Sequence, residues 1–297
     1  MSLFTVKDLS FKYKNSNSKI LSNVNLSISE YGVYGLLGRN GAGKTTFIKS
    51  CLNLLAYEGQ VIYDDKDLSK ITKRDIVDNI AALLEGNRNL YWKLTIKENI
   101  IFFSELRGHK IDLTSNKYKE LLEKFSLEKK ENVLIENLSR GMQQKVSIMC
   151  TLLFDTPFVF LDEPTLGPDY ESKSHLIKLL KDENIIRNKI IFVSSHDLNF
   201  IESVCKDSFL IKNNTISMYK NFDKNIFEIH FTKSTTSKDL FDEMIDRFEI
   251  RKYYFDEGFF VIDGNLISLS DIIKECEQKK IAIKSILNTA IKDFYLS

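Results

Sequence analysis

Nine consecutive residues carry the first chemistry of the chain: Gly38, Arg39, Asn40, Gly41, Ala42, Gly43, Lys44, Thr45 and Thr46. Their spacing fits G-x-x-x-x-G-K-[ST], in which backbone N–H groups turn inward as a nest for an anion. Gly38, Gly41 and Gly43 let the backbone turn and approach a phosphate chain with no Cβ in the way. Lys44 then reaches the β- and γ-phosphates, and Thr45 offers its hydroxyl to Mg²⁺. A second cluster lies in "FVFLDEPT", where an apolar run ends in Asp162 and Glu163. Asp162 is the candidate to hold Mg²⁺ through water, and Glu163 the candidate base that orients an attacking water. His196 closes another apolar run, "IIFVSSHD". As a neutral donor near pH 7 it suits contact with the γ-phosphate and holds Glu163 and the water in place.

These groups need a framework that brings them to one edge. The short apolar run "VYGLLG" before the glycines and the helical spacing of "TTFIKSCLNLL" after them predict strand, loop and helix. "FVFLD" and "KIIFVSS", separated by a helix "ESKSHLIKLLKDEN", suit parallel strands covered on both faces. Their carboxyl ends are where ligands of such sheets bind. The N-terminal "FTVKDLSFKY" and "ILSNVNLSIS" alternate apolar and polar residues, a strand pattern with one buried face. From about Ile96 to Leu153 the pattern is mostly helical. The fold class is α/β, a parallel sheet flanked by helices.

After "DSFLIKNNTISMY" the character changes. "NIFEIHFT" reads as a strand, "SKDLFDEMIDRF" as a helix and "IRKYYFDEGFFVID" as a hairpin turning at Glu257-Gly258. A helix, "SLSDIIKECEQKK", and a strand, "IAIKSIL", follow. The order β-α-β-β-α-β resembles a ferredoxin-like unit. A boundary near residue 220 therefore separates a domain of residues 1–220 from a small α+β domain of residues 221–297.

"ENLSRGMQQK" decides which kind of phosphate-loop protein this is. Leu138, Ser139, Arg140, Gly141 and Met142 lead into an amphipathic helix, with Ser139 as a good N-cap. Placed shortly before "FVFLDEPT", the stretch resembles the signature motif of ABC ATPases, usually written LSGGQ. It departs at Arg140 and Met142, which changes the side chains offered by the motif and leaves its helix N-terminus. The rest of the family's pattern follows in order over residues 1 to about 220. Tyr13 sits where an aromatic residue stacks on adenine, and Glu85 where the family has the Q-loop glutamine. Asp169 in "LGPD" resembles the D-loop aspartate, and His196 the H-loop histidine. "LLEGNRNLYWKLT" and the C-terminal addition are most similar to the ATPase subunits of ABC-2 type, drug-resistance-like exporters.

The resemblance implies a phosphate-loop NTPase fold with a mixed, largely parallel sheet, an N-terminal antiparallel β part and a helical subdomain over about residues 86–155. It implies ATP and Mg²⁺ as ligands, with Thr45, Glu85 and Asp162 around the metal. Lys44, Glu163 and His196 are then the catalytic set. Two such domains would pair head to tail, each ATP lying between one phosphate loop and the other protomer's signature residues 138–142. The second protomer is another copy or a homologous ATPase subunit. A separately encoded transmembrane permease would receive the motion.

The bulk properties narrow the alternatives. With 43% hydrophobic and 28% charged residues, the 297-residue chain has the make-up of a soluble globular protein. A net charge of +1 gives no electrostatic reason to expect nucleic acid. Together with a single phosphate loop and no heptad stretch, it ranks a ribosome- or nucleic-acid-associated ABC protein last. Charged residues arrive too early for a secretory signal, and no apolar run nears the roughly 20 residues of a spanning helix. Cys51, Cys150, Cys205 and Cys276 are widely spaced, which suggests buried thiols rather than a zinc site or a disulfide framework. The expected location is the cytoplasm, peripheral to the membrane through the permease. The alternative is a soluble ABC ATPase serving a cytosolic assembly.

Overall fold

The computed structural model describes residues 3–14, 16, 18–86, 89–165, 170–219, 226–232, 238–248, 250, 252–256, 258–263 and 267–288. The chain forms two compact units, Met1–Tyr219 and Lys220–Ser297.

The first unit opens with β1 (Phe4–Phe11), β2 (Leu21–Ile28), β3 (Gly32–Leu37), α1 (Lys44–Cys51), β4 (Glu58–Tyr63) and β5 (Lys66–Asp67). It continues through α2 (Lys73–Asn79), β6 (Ile80–Leu83), α3 (Ile96–Leu106), α4 (Asn116–Lys124) and α5 (Arg140–Leu152). It closes with β7 (Phe158–Asp162), α6 (Tyr170–Leu180), α7 (Glu183–Ile186), β8 (Ile190–Ser195), α8 (Leu198–Val204), β9 (Asp207–Lys212) and β10 (Thr215–Tyr219).

Two sheets result. The antiparallel one has the order β2-β1-β4-β5, and its strand β2 buries Leu21, Val24, Leu26 and Ile28 while the residues between face outward. That is the alternation expected of a half-covered strand. The larger sheet has the order β10-β9-β3-β8-β7-β6 and is parallel from β9 to β6. Every residue of β7 and β8 is buried, as their continuous apolar runs require. β10 returns antiparallel to β9 through Asn213 and Asn214, both at positive φ, the backbone a tight hairpin turn needs. Phenylalanines join the two sheets: the Phe4 ring lies 5.5 Å from Phe158 and 5.3 Å from Phe192. Phe160 stacks on Phe192 at 5.2 Å. This close-packed centre fixes the strand ends on which the functional residues sit.

The helices start on hydroxyl caps. Thr95 and Glu98 form a capping box at α3, Ser115 caps α4 and Ser139 caps α5. Fully buried Asn99 organises the approach to α3. Its side chain accepts from the Tyr91 amide at 2.8 Å and donates to the Tyr91 and Thr95 carbonyls at 3.0 and 2.9 Å. Tyr91 and Trp92 are thereby left half exposed.

The second unit consists of β11 (Ile226–Phe231), α9 (Lys238–Arg247), β12 (Lys252–Tyr254), β13 (Phe259–Asp263), α10 (Leu269–Gln278) and β14 (Ile283–Asn288). Its sheet order, β12-β13-β11-β14 with every pair antiparallel, is that of a ferredoxin-like fold. Phe241, Met244 and Ile272 of the helices pack with Ile229, Phe231, Phe260 and Ile262 of the strands in a core of its own. Gly258 takes φ +79 before β13, and Glu257, the other residue of the expected turn, lies outside the described residues. No helix among the described residues is long and apolar enough to cross a membrane.

Candidate functional site

The loop of residues 38–43 leaves the carboxyl end of β3 and enters α1, as the spacing of its glycines predicts. Gly41 and Gly43 hold φ of +82 and +110, and Gly43 is the N-cap of α1 with no side chain closing the helix end. The first amides of α1 therefore remain for a ligand. Gly38 stands where space is tight, since a Cβ there would come within 3.2 Å of the Ala42 Cβ and the Ile211 carbonyl. Arg39, Asn40 and Gly41 are exposed at the tip, whereas Gly43, Lys44 and Thr46 are buried.

Lys44 is the hub of the loop. Its ammonium donates to the Gly38 carbonyl at 2.8 Å and lies 3.0 Å from Glu163 Oε1. The second contact is an ion pair without hydrogen-bond alignment, because Glu163 Oε1 is buried and has no hydrogen-bond partner. The other oxygen of Glu163, Oε2, is 3.1 Å from His196 Nδ1. Beside them, Thr45 Oγ1 donates to Asp162 Oδ2 at 2.7 Å. Lys44, Glu163 and His196 thus form one contact group, and Thr45 with Asp162 a second beside it, at the carboxyl ends of β3, β7 and β8. Hydroxyl and carboxylate oxygens are the hard donors that suit Mg²⁺. Among the described residues no group of three or more His, Cys, Asp or Glu side chains is set to hold a metal ion. Thr45 and Asp162 are the two of the three expected metal-site residues that touch one another, and the third, Glu85, stands apart from them.

Tyr13 is near half exposed just past β1, edge-on to Phe11 at 4.8 Å, with its hydroxyl 3.3 Å from Thr46 Oγ1. That places an exposed ring beside the first turn of α1. Glu85 is exposed two residues beyond β6, whose parallel register pairs Leu83 with Leu161. It lies at the same end of the sheet as Asp162 and Glu163 and makes no hydrogen bond or ion pair among the described residues. Asp169 lies outside the described residues. The signature residues form the start of α5, where Ser139 Oγ accepts from the Met142 amide at 3.3 Å, Gly141 is buried and Arg140 is exposed. Among the described residues no hydrogen bond or ion pair joins residues 138–142 to the phosphate loop or the two carboxylates. Helix α5 is linked to the site by another route: Gln144 donates to the carbonyl of Pro164, next to Glu163, at 3.2 Å.

The motifs alone do not reveal Ser194. Its hydroxyl is buried between Asp162 and Glu163 and bonds to both. Asp197, after His196, caps α8 by accepting from the Phe200 amide and pairs with Lys173, which fixes the turn that carries the histidine. The four thiols are no part of these contacts. All four are free, and burial pushes Cys150 and Cys205 up to about 12 and Cys276 to about 11.

Comparison with known proteins agrees with this geometry. The family model described as "ABC transporter" matches residues 21–166. The ABC transporter ATP-binding protein NatA of Bacillus subtilis (strain 168) is 30% identical, over 76% of this chain and 92% of its own length. The chain belongs to the ABC transporter ATP-binding proteins. As an ABC ATPase it binds ATP and has the hydrolytic activity of that family. The methionine import ATP-binding protein MetN of Halalkalibacterium halodurans is 32% identical over 66% of this chain and 59% of its own length. A solved dimeric ATP-binding cassette in a post-hydrolysis state, bound to ADP and Pi, is 25% identical with a TM-score of 0.63. It covers 74% of this chain and all of that one. ABC ATP-binding subunits with an import name thus stand among the relatives, and the sheet with its loop and signature helix is that of the family.

Proposed function

We propose that this ABC ATPase hydrolyses Mg-ATP with Glu163 as the base and drives a separate transmembrane permease, in export. The observation that carries the proposal is the contact of Lys44 and His196 with Glu163 beside that of Thr45 with Asp162, the two joined through Ser194. The loop amides, the end of α1 and Lys44 supply positive potential for the triphosphate. Thr45 and Asp162, with Glu85 at the same end of the sheet, would hold Mg²⁺, which when bound offsets the charge of the β- and γ-phosphates. Glu163 accepts from the attacking water, and His196 orients the carboxylate from its other oxygen. Tyr13 offers its ring to adenine.

Among the described residues, no hydrogen bond or ion pair joins residues 138–142 of the signature helix to the phosphate loop of their own chain. The positive end of α5, capped by Ser139, suits the γ-phosphate of a nucleotide on a second copy or a homologous ATPase subunit. ATP then bridges two subunits, and hydrolysis removes the bridge, an order–release switch. In this reading residues 1–220 are the ATPase domain, with residues 86–155 as its helical subdomain and 221–297 as a separate small domain. The permease places the chain on the cytoplasmic face of the membrane. A groove of about 380 Å³ between β6 and α2, α3 and α5, lined by apolar Leu83, Phe103 and Phe154 together with Asn89 and Arg107, adjoins the Glu85 turn and offers that partner a seat of mixed polarity. Export is favoured by the likeness of "LLEGNRNLYWKLT" and of the C-terminal addition to ABC-2 exporter subunits.

Glu163→Gln tests the base directly. The substitution keeps the shape and removes the proton acceptor, so turnover is expected to fall by about 10² or more. ATP still binds, and ATP-dependent dimers accumulate in size-exclusion chromatography. Turnover close to wild type removes Glu163 from the catalytic role.

A further inference from the structure

We infer that Ser194 is a positioning residue for hydrolysis, setting the Asp162–Glu163 junction through one hydroxyl; the inference rests on the reading of Glu163 as the base. Ser194 and Asp162 are register partners on the parallel strands β8 and β7. Paired residues of neighbouring strands point to the same face, so the two side chains meet. Ser194 Oγ donates to Asp162 Oδ1 at 2.5 Å, a short bond of the kind made to a charged acceptor. The same oxygen accepts from the backbone N–H of Glu163 at 2.9 Å. With Thr45 on Oδ2, each carboxylate oxygen of Asp162 has its own hydroxyl donor.

The Glu163 amide is the informative partner. Glu163 holds φ +47, a left-handed conformation disfavoured for residues with a Cβ. This turn of the backbone aims the Glu163 carboxylate back toward Lys44 and His196. The hydroxyl of Ser194 holds the amide in that orientation and ties it to the neighbouring carboxylate. A serine suits the role because one hydroxyl donates and accepts at once. Ser195, one residue on, faces the other way and accepts from the Asp197 amide at 3.0 Å. The two adjacent serines therefore have separate roles: one sets the carboxylate pair, and the other shapes the turn that carries His196. Both are fully buried, which leaves water no access to replace either hydroxyl.

The test compares Ser194→Ala, Ser194→Thr and Glu163→Gln in the full chain. Each is measured for ATP affinity without Mg²⁺, melting temperature, and kcat and KM per nucleotide-binding molecule. Ser194→Ala is expected to bind Mg²⁺-free ATP within about twofold of wild type, since the loop is untouched, and to lose about tenfold or more in kcat with little change in KM. Ser194→Thr restores the hydroxyl and recovers most of kcat. A Ser194→Ala protein that melts lower yet keeps wild-type kcat overturns the inference, because the residue is then packing alone. So does a threonine variant that melts like wild type and is as slow as the alanine one. Glu163→Gln separates the two levels of the argument. If it turns over normally, the reading of the base has failed. If it stalls while Ser194→Ala does not, only the role of Ser194 has failed.

Discussion

Lys44 and Glu163 bring a buried ammonium and a buried carboxylate to 3.0 Å of one another at the mouth of the phosphate loop. Each side chain is less than a tenth exposed. Buried charges are tolerated when paired, and the pair is costly to break from one side only. A triphosphate entering the loop brings negative charge to Lys44 and competes with Glu163 for it. Loading the loop and releasing the carboxylate toward water are thus linked through one side chain.

Lys44→Ala is expected to act twice. Loss of the hydrogen bonds to a charged group, worth about 1.5–3 kcal/mol, lowers nucleotide affinity by about 10- to 100-fold. The variant is also less stable by about 3–5 kcal/mol, because Glu163 is left as a buried carboxylate without its ammonium partner. Adding Glu163→Gln recovers much of that stability without recovering affinity. Equilibrium binding and urea unfolding of the single and double variants check both halves, and an unchanged nucleotide affinity contradicts the assignment of the loop.

Gly35 lies in the middle of β3, where an added Cβ would stand 2.4 Å from Ile201 Cγ2 on α8 and 2.8 Å from Ser208 Oγ on β9. Gly35→Ala should therefore overpack the core and cost about 1–3 kcal/mol. A denaturation midpoint equal to wild type would show that α8 can move away without loss. The strand ends at the phosphate loop, so the folded fraction is expected to bind nucleotide as before.

Glu85 is exposed at the sheet end that carries Asp162 and Glu163, where a carboxylate in place of the usual glutamine adds negative charge. Glu85→Gln retains an acceptor oxygen and is expected to keep most of the ATPase activity. Glu85→Ala is expected to bind ATP normally and to transmit hydrolysis poorly to the permease. ATPase and transport rates measured side by side in reconstituted complexes decide the matter. An alanine variant equal to wild type in both assays makes the residue a bystander.

Much of this site was legible in the chain itself. The phosphate loop is a local object: three glycines, a lysine and a threonine at fixed spacing, preceded by an apolar run and followed by helical periodicity. "FVFLD" and "IIFVSS" are continuous apolar runs because both faces of the inner strands are covered. The ferredoxin-like order of the C-terminal unit was readable for the same reason, since each element carries its own period. β4, β5 and β6 were not legible. β4 is only partly buried, and β5 and β6 have two and four residues, too few to display a period.

Only the tertiary structure decided which of these residues touch. Ser194 and Asp162 are 32 positions apart, and it is the register of β8 against β7 that puts a hydroxyl on that carboxylate. A shift of one residue would send the side chain to the opposite face. Likewise the left-handed turn at Glu163, which points the carboxylate at Lys44 and His196, is unfavourable for the residue itself and is held by partners from β8 and α1. Composition and spacing determine what each segment is able to do, because backbone preference and apolar period act between near neighbours. Strand register and the close packing of Phe4, Phe158, Phe160 and Phe192 act across the whole chain, and they alone determine which hydroxyl, ammonium and carboxylate meet.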